Sequence, residues 1–308
     1  MNWLQLLLLL IAATAVGLLF TGRRGPSRST DFIRWSLVTL TAILTALPFL
    51  WLVTAVFKDP KALLAHTFLP PLDQWSTDLN LKNFHQLFQP VEVQGGQVSF
   101  WLFVMNSLLL SSIQTVVSLV LCSLGGYALA KHDFAGRKAL LFFMIVTLMV
   151  PSVLFLAPLY KMVYQLGWLN TWSALIIPGA VSAFGIFLFR QAMVQVPDDL
   201  IEAARMDGAG EWRIWWQVMM PLVRPMSGAF CLMTFLGSWN SFLQPTLFLS
   251  GSDKLTLPVV LNGMQFQYST QYGVFLAATL VAIIPPAILF FALQREFVSG
   301  LTSGAVKG

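Results

Sequence analysis

The chain has little charge. Asp, Glu, Lys and Arg together make up 10% of its 308 residues, where a soluble domain carries about a quarter. That scarcity, with a mean hydropathy of +0.74, excludes a soluble globular domain and makes the bilayer the natural solvent. Cysteine is scarce too. Cys122 and Cys231 stand far apart inside apolar runs. They lack CxxC or metal-ligand spacing and read as small buried side chains. The three histidines, His66, His85 and His132, fall in loops and form no cluster, so no metal site is expected. No GxxxxGK[ST] occurs, which excludes the usual phosphate cradle of an ATPase. The basic balance, with a pI of about 9.4, is spread over loops rather than gathered in a patch, which argues against nucleic acid as partner.

What the chain has is apolar runs. A spanning helix needs about 20 mostly apolar residues, and seven stretches qualify: Trp3–Phe20, Trp35–Phe57, Trp101–Ala130, Ala139–Tyr160, Trp172–Arg190, Leu222–Ser250 and Tyr272–Leu293. Trp101–Ala130 is long enough to tilt or to begin as an interfacial turn. Pro151, Pro158 and Pro178 are expected to kink their helices. With the basic linker before Trp35 placed inside the cell, Lys and Arg divide 13 inside to 5 outside. The positive-inside rule then puts the N-terminus outside and the C-terminus in the cytoplasm. Away from their ends the six later runs hold no Asp, Glu, Lys, Arg or His. Ion-driven carriers place such groups at mid-membrane, and an intramembrane enzyme needs a cluster of them.

Two loops stand out. The external loop over 58–100 contains LNLKNFHQLFQ, which reads as a short amphipathic helix with Leu81, Phe84, Leu87 and Phe88 on one face. The internal loop over 191–221 contains EAARMDGAGEWRIWWQVMMP. Pro197 can open a helix at its first position, with Asp198 and Asp199 in the first turn where carboxylates suit the helix dipole. Gly208 is a natural stop. A second helix starts at Gly210 and carries Trp212, Trp215, Trp216 and Met219 as one stripe at i, i+3, i+4 and i+7. Small residues leave a shallow face that another protein could approach. The alternative is an interfacial loop whose tryptophans belong to the aromatic belt.

Glu202-Ala203-Ala204, three residues, Gly208, nine residues, Val218, one residue, Met220 and Pro221 resembles the EAA signature of bacterial ABC importer permeases, EAA-x3-G-x9-I-x-L-P. Val218 for Ile and Met220 for Leu are departures conservative in volume and polarity. NSLLLSS from Asn106, GGYALAKHDFAGRK from Gly125, FGIFLFRQ from Phe184, FLGSWNSFLQP from Phe235 and GLTSGAVKG from Gly300 are similar to the carbohydrate-uptake subgroup, most of all to the maltose-type second permease subunit. The likeness covers roughly 35–308. Ser241 stands where many relatives have an acidic residue, and Gly210 where they often have a serine cap.

The resemblance implies an all-α polytopic membrane protein, a six-helix ABC importer type I permease core plus one extra N-terminal transmembrane helix. Its parts would be that segment over 1–21, a basic cytoplasmic linker over 22–34, the permease domain over 35–299 and a cytoplasmic tail over 300–308. The implied function is that of a non-catalytic permease subunit in the cell membrane, serving an ATP-driven, binding-protein-dependent importer of a sugar or sugar-like solute. Implied partners are a companion permease, two ATPase subunits and an extracytoplasmic solute-binding protein. The chain itself would hold no cofactor, with ATP and Mg on the ATPase. The hairpin would dock into a cleft of the ATPase through Glu202, Ala203, Ala204, Asp207, Gly208 and Trp212. Trp239, Asn240, Ser241, Gln244 and Asn106 are candidates for the solute path, against a plain role in interhelical hydrogen bonds. A secondary carrier or channel would explain the spans but not the hairpin, and a membrane scaffold would leave the transport features unused.

Overall fold

The computed structural model describes residues 27–93, 96–267 and 272–305. The expected span Trp3–Phe20 and the last three residues lie outside them. Apart from one short hairpin, Val91–Val93 with Gly96–Val98, the regular elements are helical. Three helices are long and apolar enough to cross a bilayer, and three further pairs qualify if each bent pair counts as one span. The six-span core and the all-α class therefore hold. The described residues divide into two units, one with 27–84 and 272–280, the other with 85–93, 96–267 and 281–305.

In the first unit, helix Ser27–Val56 ends where the chain turns into the loop over 58–100. Its freed carbonyls need donors. The buried amide of Asn83 supplies two hydrogen bonds, to the Val56 carbonyl at 2.6 Å and the Lys58 carbonyl at 3.1 Å. Lys58, itself buried, donates to the His66 carbonyl at 2.7 Å. Burial pushes its ammonium below the usual lysine range. The amphipathic segment needs a correction. The helix is Lys82–Phe88, so Leu81 lies before it and is exposed. Asn83 and Leu87 are the buried residues, and Phe84 meets Phe57 with ring centroids 5.8 Å apart. A capping amide took the place that periodicity gave to Leu81.

The second unit is organised on helix Phe100–Lys131. It is continuous for 32 residues, about 48 Å at 1.5 Å per residue, with no interfacial turn at its start. Three other runs are broken. Arg137–Met149 and Ser152–Gln165 meet at 97° around Pro151. Proline cannot donate to the preceding turn and clashes with it. Ser173–Gly179 and Ala183–Val194 meet at 41° just after Pro178. Leu222–Ser250 begins as Arg224–Trp239, turned 86° from the stretch before it, and resumes as Leu243–Phe248. Helix Tyr272–Ala305 carries Pro285 and Pro286. It runs on to Ala305, inside the region expected as a tail.

Small residues let the long helix approach its neighbours, as in membrane helix pairs generally. A Cβ on Gly126 would lie 2.5 Å from the Phe189 Cβ and 2.8 Å from the Arg190 nitrogen. Gly185 faces Cys122 and Phe230 in the same way. We predict that Gly126→Val lowers the thermal unfolding midpoint of the purified protein in micelles, by the roughly 1–3 kcal/mol that overpacking costs. Gly210→Ala, where an added Cβ meets nothing within 4 Å, should leave it unchanged. Equal midpoints in both variants would contradict this packing.

Candidate coupling site

The hairpin over 197–222 is built from short-range rules. Helix Asp198–Met206 starts after Pro197, which sits at the N-cap rather than inside the first turn. Asp198 and Asp199 complement the positive end of the dipole. At the other end Gly208 adopts a φ of +80°. The Gly208 N–H donates to the Arg205 carbonyl and the Ala209 N–H to the Ala204 carbonyl, both at 3.0 Å. This is the Schellman arrangement, which needs a left-handed residue at its centre.

The second helix departs from the expected α-periodicity. Glu211–Arg213 is α-helical, Ile214–Met219 is a π turn and Met220–Leu222 is α-helical again. Pro221 follows directly and has no N–H to offer Gln217, so a wider turn at this point is physically reasonable. The expected stripe splits as a result. Ile214, Trp215 and Met219 are buried, in a core with Tyr127, Phe189, Met193 and Ile201. Trp212 and Trp216 are 65% and 57% exposed.

Two fasteners join the hairpin to the end of helix Phe100–Lys131. The first is Lys131, the last residue of that helix, with a buried side chain. It donates to the Val196 carbonyl at 2.6 Å and pairs with Asp198. The second is Glu211. One of its oxygens accepts from the Tyr127 hydroxyl at 2.7 Å and lies 3.3 Å from His132 Nε2. The other accepts from Arg205 at 2.8 and 3.1 Å, closing the hairpin across its turn. Tyr127 and His132 meet edge to face at 5.2 Å. The Tyr127 hydrogen bond, followed by Arg205, holds the Glu211 carboxyl below the usual carboxylate range. Sequence reading missed Glu211. Its position at a helix start was a signal, but Tyr127 and His132 are remote in sequence.

The residues singled out for docking take no part in these two fasteners. Glu202, Ala203, Asp207 and Gly208 are exposed and Ala204 is half-buried. Met206 is 83% exposed and stands in the same hairpin as Trp212 and Trp216.

The solute-path candidates separate. Asn106 donates to the Asp253 and Leu255 carbonyls at 2.8 and 3.1 Å, holding a loop. Trp239 is buried and stacks on Phe235 at 5.8 Å. Asn240 is exposed at the end of Arg224–Trp239. Ser241 and Gln244 share a cavity of about 220 Å³ with Gln114.

The sequence profile described as "binding-protein-dependent transport system inner membrane component" matches residues 123–302. The arabinooligosaccharides transport system permease protein of Halalkalibacterium halodurans is 33% identical over 284 residues, 91% of this chain and 99% of that one. The lactose transport system permease protein of Rhizobium radiobacter is 32% identical over 280 residues, 91% of this chain and 97% of that one. In three dimensions the chain is similar to a subunit of a bacterial ABC transporter involved in the import of the acidic polysaccharide alginate. The TM-score is 0.76 at 23% identity, covering 90% of this chain and 100% of that one, a likeness of fold.

A carboxyl held low in the folded state stabilises at pH above the usual carboxylate range, and the contribution is lost as pH falls through the lowered value. We therefore predict that Glu211→Gln makes the hairpin more sensitive to limited proteolysis at neutral pH. The difference from wild type should close on acidification below that range. A difference that persists unchanged in acid would contradict the assignment.

Proposed function

The chain belongs to the binding-protein-dependent transport system inner membrane component family, and from that premise we propose how it works. It is a multi-pass membrane permease subunit of an ATP-driven, binding-protein-dependent importer. Sugar or sugar-like solutes are the class we assign, because relatives across nearly the full length are named for arabinooligosaccharide and lactose transport. The chain forms one half of the translocation path, with a companion permease supplying the other. Two ATPase subunits carry ATP and Mg on the cytoplasmic side, and the external loop over 58–100 faces the solute-binding protein. The hairpin and the C-terminus are cytoplasmic. The domain boundaries proposed from the sequence stand on the same reading.

The observation that carries this reading is the exposed hairpin. Its EAA spacing is intact, its turn requires Gly208, and its open face presents Glu202, Met206, Asp207 and Trp212. Its closed face is fastened to the long helix through Lys131 and Glu211. Docking on the open face would move hairpin and helix together. This is how the ATPase would act on a path that holds no nucleotide site of its own. A secondary carrier has no use for such a fastening.

We predict that Glu202→Lys removes about 2–5 kcal/mol of docking energy, the usual loss when a charge pair at an interface is broken. Gly208→Val should strain the turn by about 1–3 kcal/mol, since a β-branched residue resists positive φ. Both variants should insert and pair with the companion permease yet lose ATP-driven uptake. Wild-type uptake at equal expression in both would show that the loop is a simple connector. Uptake that collapses with the proton gradient, and survives ATP depletion, would favour a secondary carrier.

A further inference from the structure

We propose that Glu296 is a positioning residue for the coupling step. Paired with Arg224 across Gly228, it makes the end of the last helix part of the body that the hairpin moves. The proposal rests on the importer reading above and deepens it by naming a second path out of the hairpin. That path begins at the bend where Glu211–Leu222 turns by 86° into Arg224–Trp239. Val223, in the bend, is 4% exposed and belongs to the same core as Trp215 and Met219. Its N–H donates to the Met219 carbonyl and its carbonyl accepts from the Ser227 N–H, both at 3.0 Å. Hydrogen bonds therefore run through the bend, and a displacement of the hairpin core reaches the first turn of Arg224–Trp239 directly.

Arg224 is out of place by local rules. It is the first residue of its helix, where the dipole favours anions and disfavours cations. The first turn of that helix holds no acidic residue of its own. The carboxylate comes from another helix. Glu296 Oε1 accepts from the Arg224 guanidinium at 3.2 Å. Glu296 closes the stretch of its helix that is apolar enough to cross a bilayer, Tyr272–Glu296, and its side chain is 22% exposed. An ionisable group so placed is costly unless it is paired or functional.

Gly228 makes the pairing possible. A Cβ added there would lie 2.5 Å from the Glu296 Cβ and 3.2 Å from its Cγ. The stem of Glu296 thus occupies the space where any other residue at 228 would place its side chain, the close approach that small residues allow between membrane helices. About one turn further on, Cys231 and Phe235 from one helix and Pro285, Leu289 and Ala292 from the other line an apolar groove of about 720 Å³. With that space between their apolar faces, the crossing at Gly228 is where the last helix is held to Arg224–Trp239.

The pair suits positioning better than stability. Exposed ion pairs contribute little to folding, and the Arg224 side chain keeps 76% of its surface open. What the pair fixes is direction. A charge at the foot of the bend meets its counter-charge on a second helix, so the first turn of Arg224–Trp239 and the end of the last helix turn together.

The test uses the intact importer, reconstituted in proteoliposomes with its companion permease, ATPase and binding protein. The binding protein is used as purified and supplemented with lactose, melibiose and arabinobiose. ATP hydrolysis is followed against binding-protein concentration. Glu296→Gln and Arg224→Gln should each lower the maximal stimulated rate about fivefold, the upper range of what such a pair supplies. The half-saturating binding-protein concentration should match wild type. Exchanging the charges, Arg224→Glu with Glu296→Arg, should regain most of the loss. Gly228→Ala leaves both charges in place, forces the stems apart and should lower the rate as well. Thermal unfolding midpoints of the two Gln variants in micelles should agree with wild type. Wild-type rates in the Gln variants and in Gly228→Ala would overturn the proposal and leave the importer reading intact. Losses that the exchange does not regain, or that follow lowered midpoints, would assign the pair to folding and overturn it too. A wild-type complex without stimulated hydrolysis and without uptake would overturn the importer reading and the proposal with it.

Discussion

In hydrocarbon every peptide group must find its partner inside the protein. Helix Phe100–Lys131 meets that demand over 32 residues, and the elements packed on it lean on its side chains where their own ladders fail. Ser118 caps the two carbonyls released at the Gly179 break. Cys122 lies 3.4 Å from the Ser182 nitrogen, where the next half-helix begins. Towards its start Asn106 and Ser107 hold the loop over 253–257, the Ser107 hydroxyl accepting from the Leu257 N–H at 2.7 Å. Towards its end Tyr127 and Lys131 hold the hairpin.

The helix therefore touches several parts of its unit. One end is tied to the hairpin, the middle carries Gln114 on the cavity, and the other end is tied to a connecting loop. Its Gly126 lets Ala183–Val194 approach so closely that an added Cβ there would lie 2.5 Å from the Phe189 Cβ. A push on the hairpin has little slack to absorb it, because Trp215, Ile214 and Met219 are fully packed. Glu211 adds a polar lock at the same place, half exposed and so of modest strength, but with three side chains, Tyr127, His132 and Arg205, converging on it.

Much of this was legible in the sequence because it follows local rules. The apolar runs had to be helices, Pro151 had to break one, and Gly208 had to end another. What was not legible depends on distance in sequence or on competition between local rules. The helical period gave Trp212 and Trp216 to the same stripe as Trp215, and the π turn before Pro221 divides them. Leu81 looked like part of an apolar face, but Asn83 was needed to cap Ser27–Val56, and the helix begins after Leu81. The contact of Tyr127 with Glu211 crosses 84 positions, and no periodicity reports such a pair. Asn106 and Ser241 looked alike as polar residues in greasy runs. The fold gives one to a loop and the other to a cavity.

The central claim is that hairpin and long helix move as one body. Spin labels on Gln217→Cys in the hairpin and Val116→Cys on the helix, with the two native cysteines replaced, would measure it by pulsed electron paramagnetic resonance in the assembled importer. Both positions are exposed, so the labels disturb little. The account predicts one distance distribution, the same in the resting complex and in the ATP-bound complex, while labelled importer still takes up solute. A shift of about one helical turn, roughly 5 Å, on adding ATP would show that the hairpin moves independently and would contradict it.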